Sequence, residues 1–330
     1  MKSAAGPILV LMTAGLATPA LGADFSDYGD LRPSYEPGWE TGDDSLRFEA
    51  GIRYWMSWGK QQAGFTAAMG GVTLGDVTLD VEDQSHMAEV HGRIDDLYTN
   101  TYLKGQAGLS LHTTGTYDIS PAGSGTIGNQ SRIGYAGVDY GWMPLGQLDN
   151  GPAAGGFVGY TYWKDAPDIG TGQIATAFDG FGNPTAFADA PDNLDIHALR
   201  IGARGTYETE MFDIQAEIAA VPYAHITGAV GGSAPNGFDF SPVVPVPIYE
   251  NEQITLSGQG YGVMTEAMLG FHPTENLTLR VGGRAWYLEG QLDARFNGTA
   301  GGTDLPELNL PSNYASIFRY GALFELTGRF

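Results

Sequence analysis

A chain of 330 residues can hold one large domain or two small ones, and its 49 glycines and 12% aromatic residues suit strands and turns more than helices. A formal net charge of −22 argues against nucleic acid as a partner, because phosphate binding wants a basic patch. The absence of cysteine excludes disulfides and thiolate chemistry.

The first residues read as a secretory signal peptide, 1–22. Lys2 supplies a charged start, "PILVLMTAGL" (Pro7–Leu16) an apolar stretch, and "ALG" (Ala20–Gly22) a small-x-small cleavage site before Ala23. The apolar stretch falls short of the roughly 20 residues that a membrane-spanning helix needs. Residues 23–45 are acidic and rich in turn formers, and read as a periplasmic N-terminal segment.

From Leu46 the pattern changes to period two. Leu46, Phe48, Ala50, Ile52, Tyr54, Met56 and Trp58 share one face, with Arg47, Glu49, Gly51, Arg53 and Ser57 on the other and Trp55 the exception. Thirteen alternating residues exceed the usual strand of about 5–6 and match an outer-membrane strand, apolar outside and polar inside. The pattern recurs over 86–94, 102–112, 132–142, 155–164, 197–207, 212–226, 259–272, 277–288 and 316–330, with the phase of 155–164 ambiguous. In the last stretch Phe318, Tyr320, Ala322, Phe324 and Leu326 oppose Arg319, Glu325, Thr327 and Arg329.

Connections alternate in length. Short ones are expected near 95–101, 143–154, 208–211 and 273–276, and long ones near 59–85, 113–131, 165–196, 227–258 and 289–315. That sorting predicts an all-β fold: a transmembrane antiparallel up-and-down β-barrel of about ten strands over 46–330, with five long extracellular loops and short periplasmic turns. The last strand must close on the first, because an open edge cannot stand in lipid.

The inward positions carry the charge. Arg47, Arg53, Arg93, Lys104, Arg200, Arg204, Arg280, Arg284, Arg319 and Arg329 face Glu49, Glu89, Asp139, Asp213, Glu217, Glu266 and Glu325. Opposite charges at this density either pair across strands into a sealed polar core or line a selective pore. Ten strands leave a lumen little wider than eight, which side chains nearly fill, so pairing is the preferred reading.

Outward aromatics, Tyr54, Trp58, Tyr140, Trp142, Tyr160, Tyr162, Tyr287 and Tyr320, fit belts at headgroup depth. The remaining acids are expected in loops as a solvated rim: Asp76, Asp80, Glu82, Asp83, Asp165, Asp168, Asp179, Asp189, Asp192, Glu250, Glu252, Asp304 and Glu307. No calcium-loop spacing organises them. His86, His112 and His197 read as rim residues without a metal-site spacing. No cofactor fingerprint appears.

"HGRIDDLYTNTYLKGQAGLSL" (91–111), "GVMTEAMLGFHPTENLTLRVGGRAWY" (262–287) and "YGALFELTGRF" (320–330), with ten strands and five long loops, resemble the omptins, ten-stranded outer-membrane proteases. "GIRYWMSWGKQQ" (51–62) is similar to omptin-like envelope proteins of alphaproteobacteria. The resemblance implies an Asp pair in the second loop and an Asp-x-His pair in the fourth, flanking one water as general base and acid. Here the second loop offers only Asp118, and the fourth offers Asp239 with no histidine. His225 stands at the near edge of the fourth loop, so neither pair carries over, and Asp118 with His225 is the one rewired candidate. The resemblance also implies outer-membrane lipid and lipopolysaccharide as surroundings, and a monomer. Tyr320, Phe324, Leu326 and Phe330 resemble the C-terminal signal shown to the barrel-assembly machinery. Three functions follow for test: a non-enzymatic envelope protein with loops for structure or binding, a narrow pore for small solutes, and a divergent surface protease.

Overall fold

A computed structural model describes residues 46–69, 72–120, 123–128, 131–148, 151–166, 177–178, 184–185, 193–230, 234–238, 249–251, 254–300, 303–304 and 307–330. The expected signal peptide and N-terminal segment lie outside the described residues, as do Asp168, Asp179, Asp189, Asp192, Asp239 and Glu252.

Ten long strands form the wall: β1 (Leu46–Met69), β2 (Val72–Asp96), β3 (Thr101–Ser120), β4 (Arg132–Gly146), β5 (Gly151–Ala166), β6 (Asn193–Glu208), β7 (Phe212–Val230), β8 (Ile254–Thr274), β9 (Leu277–Phe296) and β10 (Leu308–Arg329). Each pairs antiparallel with its neighbour in sequence, and β10 returns to pair with β1 in the register Arg53↔Glu325, Tyr54↔Phe324. The ring is therefore closed, which removes the edge that lipid forbids. The end with short turns is called the base below, and the end with long connections the mouth. At the base the turn after β2 uses Asn100 at φ 53, and the turn between β4 and β5 uses Gly146 and Gly151 at φ 88 and 79. Asp96 accepts from the Tyr98 and Thr99 amides at 2.9 and 3.2 Å, which fixes the first of these turns.

Outward side chains of the lower half form an apolar belt, with Ile52, Val90, Leu109, Val158, Ile201, Ile218 and Phe324 exposed on it. Tyr140 and Trp142 stand toward its base edge, and Tyr54, Tyr160, Tyr287 and Tyr320 toward the mouth. The ambiguous strand resolves with Val158 and Tyr160 outward and Phe157 and Trp163 inward.

The strands run past the belt. β1, expected to stop at Trp58, continues to Met69, and β2 begins at Val72, so the expected connection 59–85 is largely a hairpin. The same holds for 113–120, 289–296 and 308–315. The reason is a reversal of sides. Beyond Trp58 the outward residues become polar (Lys60, Gln62, Thr66) and the inward ones apolar (Ala63, Phe65). On the partner strand Asp80 and Glu82 face out while Leu79 and Val81 face in. Period two persists, but the pattern is that of a water-exposed barrel with an apolar core. The lower half is the converse, polar within and apolar without.

Two bulges also shift phase. β3 carries an extra residue between Ser110 and His112, opposite Met87 and His86, and β7 is irregular between Val221 and Ala224, where Pro222 and Tyr223 intervene. Each bulge turns the residues beyond it to the opposite face.

Candidate functional site

Alternation places every expected lumen charge inside, and the ring brings them within reach of one another. At the base Arg47 bridges Asp95 at 2.9 Å and Glu208 at 3.4 Å, and Arg329 holds Glu49 at 2.9 Å and also Glu208. Arg93 bonds Asp95 at 2.6 Å. Arg280 bonds Asp213 at 2.9 Å and Glu325 at 2.5 Å. One level higher, Arg53 contacts Glu325 and, at 2.9 Å, Glu89. Arg284 spans Glu89 and Glu266 at 2.8 and 2.6 Å. Glu217 collects Lys104, Arg200 and Arg204 at 3.0, 3.2 and 3.2 Å, and Arg200 also meets Asp139 at 3.3 Å. Lumen glycines make room for these heads. A Cβ at Gly159 would strike the Asp139 carboxylate, and one at Gly270 the Asp213 carboxylate.

The network is balanced. Arg47, Arg53, Arg93, Lys104, Arg200, Arg204, Arg280, Arg284 and Arg329 meet Glu49, Glu89, Asp95, Asp139, Glu208, Asp213, Glu217, Glu266 and Glu325, nine against nine among the described residues. Asp95 and Glu208 escape a sequence reading because each stands at the end of its strand, where the alternation is short.

Above this layer sits an aromatic one. Trp163 meets Trp286 with ring centroids 4.4 Å apart and stacks on Tyr135 at 5.2 Å, while Trp55 packs edge-on to Tyr135 at 5.9 Å. Tyr135 donates its hydroxyl to Glu89 at 2.5 Å, and the Arg284 guanidinium lies 5.0 Å from the Trp55 ring, which ties the two layers together. The void between the layers measures 40 Å³.

Arg319 stands apart from the network. It is fully buried, lies 5.5 Å from the Trp163 ring, and bonds Asp83 at 2.6 Å, Ser57 at 3.1 Å and Asp165 at 3.5 Å. Ser85 donates to Asp83 at 2.6 Å. Asp83 and Asp165 were expected in the acidic rim and are instead lumen residues, 8% and 2% exposed. They sit where the wall outgrows the belt, on strand that reads as loop in the sequence. Of the other rim acids, Asp76, Asp80 and Glu82 are also on β2, but face outward. The outward residues of β5 beyond Tyr162 begin with Lys164, so Asp165 stands above the apolar belt. Burial beside Asp83 outweighs the pull of Arg319 and raises the Asp165 carboxyl to about 6.

Over this trio the lumen widens into an apolar cavity of 270 Å³, walled by residues such as Phe65, Leu79, Ile226, Leu256, Leu292 and Ile317. Gln61 lines its wall and reaches Asp165, although its Nε2 completes no hydrogen bond. A larger hollow of 1000 Å³ lies among outward side chains such as Ile52, Val90 and Phe324, on the apolar belt.

The rewired pair Asp118 and His225 is not assembled. Asp118 lies opposite Asp80 on the outer face of β3, and His225 opposite His197 on the outer face of β7, with β4, β5 and β6 between them in the ring. The two bulges cause this, since each residue would face inward without the phase shift before it. The rim histidines face outward as well. His86 bonds the Tyr54 hydroxyl and stacks on His112 at 6.3 Å, and His197 meets the Tyr160 hydroxyl at 2.5 Å. Among the described residues no three His, Cys, Asp or Glu side chains converge as a metal site. Tyr320, Phe324, Leu326 and Phe330 are all exposed on the outer surface.

No protein-family model and no curated protein matches the chain. Among solved structures it is similar to the outer membrane protease OmpT from Escherichia coli, with a TM-score of 0.55 and 13% identity over 86% of this chain and 96% of that one. Matches with the outer membrane protein OprG from Pseudomonas aeruginosa (TM-score 0.34, 8% identity, 85% and 94% coverage) and the translocator domain of NalP from Neisseria meningitidis (0.32, 13%, 89% and 91%) are weaker. The likeness to OmpT establishes the outer-membrane type of barrel fold, and no activity passes with it.

Proposed function

We propose that this barrel sits in the outer membrane of a Gram-negative bacterium after loss of residues 1–22, as an omptin-like envelope protein that neither conducts nor cleaves. Its work lies at the mouth, in structure or binding. The observation that carries this is the lumen: nine cations paired with nine carboxylates, roofed by Trp55, Tyr135, Trp163 and Trp286. A pore needs a continuous water path, and a void of 40 Å³ holds about one water. A protease of the omptin kind needs a carboxylate and a histidine across a cleft, and Asp118 and His225 lie on the outer surface of separate strands.

The belt and its flanking aromatics support lipid and lipopolysaccharide as the surroundings. Outward Tyr320, Phe324, Leu326 and Phe330 support recognition by the barrel-assembly machinery, and the closed ring supports a monomer. The test is single-channel conductance of the refolded protein in a planar bilayer, with folding verified by the heat-modifiable gel shift. A silent membrane is expected. Discrete, salt-dependent steps would overturn the reading in favour of a narrow pore for small solutes.

A further inference from the structure

The outer wall carries a feature that the lumen does not explain. A hollow of 660 Å³ opens on it across β7, β8, β9 and β10. Four tyrosines line this hollow, one from each strand: Tyr223, Tyr261, Tyr287 and Tyr314, all between 36% and 57% exposed. Breaks in the ladder border it. Pro222 and Tyr223 bulge from β7, and the register of β9 on β10 shifts between Gly290 and Asp293. The Tyr314 ring lies on the wall over Gly64, where a Cβ would come within 2.4 Å of it. Tyr287 stands at the mouth-side edge of the belt, and Glu289 is the next outward residue on its strand, so the hollow sits at headgroup depth.

Charge decides what fits. The other polar side chains of the hollow, Gln259, Gln291, Asn313 and Ser316, are neutral, so Glu289 is its one charge among the described residues. The carboxylate accepts from the Tyr261 hydroxyl at one oxygen and from the Tyr287 hydroxyl, at 2.7 Å, at the other. Hydroxyls hold a carboxylate in place without neutralising it, and two of its four lone-pair sites stay open. Outward acids elsewhere on the wall, Asp80, Glu82, Asp195 and Glu307, lie within 4.0 Å of Lys60, Lys164 or Arg295. Among the described residues no cation does this for Glu289, whose partners are the two tyrosines. Aromatic rings around an uncompensated carboxylate suit an organic cation, because each ring face is negative and N-methyl groups bury against it. We propose that this hollow binds a quaternary ammonium head, its nitrogen beside Glu289 and its methyl groups against the four tyrosine rings. A free solute such as choline and a phosphocholine lipid carry the same head, and headgroup depth admits both.

The test titrates choline, beside its neutral carbon isostere 3,3-dimethylbutan-1-ol, at pH 7.5 into the full chain in phosphatidylglycerol nanodiscs, with empty discs as the baseline. Ligand-observed NMR follows the methyl protons, which move upfield when they lie over aromatic rings. Choline is expected to show this shift and to bind about tenfold tighter than the alcohol. E289Q keeps an acceptor for a tyrosine hydroxyl but loses the charge, and should bring the two probes within about twofold of each other while the heat-modifiable gel shift persists. Y223L with Y314L leaves Glu289 and its two hydroxyl partners in place, and should weaken choline by about fivefold and shrink the upfield shift. Discs of phosphatidylcholine tell the sources apart. Choline displaced there means that the lipid head takes the site, and choline still bound means that the free solute does, each in keeping with the proposal. The proposal is overturned if the alcohol binds as tightly as choline, if E289Q keeps the preference, or if choline in phosphatidylglycerol discs shows no shift beyond the baseline. Its failure is separable from that of the closed-lumen reading: a silent barrel without choline binding loses only this proposal, and a conducting barrel that prefers choline loses only the other.

Discussion

At the scale of single residues, the lumen ranks its own charges. Glu217 serves three cations, so Glu217→Ala leaves Lys104 with Glu266, Arg200 with Asp139, and Arg204 with the uncharged Gln215 amide oxygen in place of a carboxylate. Removing one partner of a buried pair costs about 3–5 kcal/mol, whereas an exposed rim acid is worth about 1 kcal/mol or less. Glu217→Ala is therefore expected to lower the urea midpoint of the folded barrel strongly, and Glu82→Ala to leave it within error. Asp165 behaves oppositely, because its folded pKa of about 6 lies above the usual aspartate value. Between those two pH values the folded state holds a proton that the unfolded state has lost, so stability falls as pH rises through 6. Asp165→Asn, which never ionises, should stabilise the barrel at pH 8 by on the order of 2 kcal/mol and change little near pH 4. Equal effects at both pH values in urea titrations would refute the assignment. Parity was enough to read Arg53, Glu89 or Glu325 as lumen residues, since each lies in an unbroken alternation. It could not reach Asp83 or Asp165, because a carboxylate amid outward-polar strand looks the same in sequence as a carboxylate in a loop.

At the scale of elements, each strand is two strands in series with one period and opposite faces. The lower part buries charge and exposes apolar side chains, and the upper part does the reverse. Sequence periodicity finds both, but it assigns the belt only where the outward face is apolar, which is why the expected strands stop at Trp58 or near Leu288. The bulges are the harder case. Pro222 and Tyr223 insert without breaking the composition of β7, yet they turn His225 from the lumen to the outer surface. The two halves should respond differently to the same charge. Ile218 faces outward within the belt, so Ile218→Arg puts a guanidinium into hydrocarbon and should cost about 2–4 kcal/mol. His225→Arg, seven residues on and past the bulge, should cost less than about 1 kcal/mol. Unfolding titrations in the same phospholipid vesicles compare the two, and an equal cost would place the belt edge elsewhere.

At the scale of the whole molecule, the proposed closure is redundant. The ion-pair layer and the aromatic layer both stand in the lumen, and they share members: Tyr135 donates to Glu89, and Arg284 lies against the Trp55 ring. Redundancy predicts how the block fails. Trp163→Ala with Trp286→Ala removes the ring pair but leaves Arg53, Arg284, Glu89 and Glu266 locked across the bore, so the membrane should stay silent. Arg284→Ala alone breaks the crossing between Glu89 and Glu266 while the roof persists, and should also be silent. Combining the three substitutions removes both barriers on one side of the lumen and should give discrete conductance steps. Those steps should favour cations, because the loss of Arg284 leaves the local charge negative. A channel from the tryptophan pair alone would mean that the ion pairs leave a water path and that the roof is the sole seal. Silence from the triple variant, with folding verified, would mean that the remaining charges re-pair across the gap, as side chains in a ten-stranded bore have the reach to do.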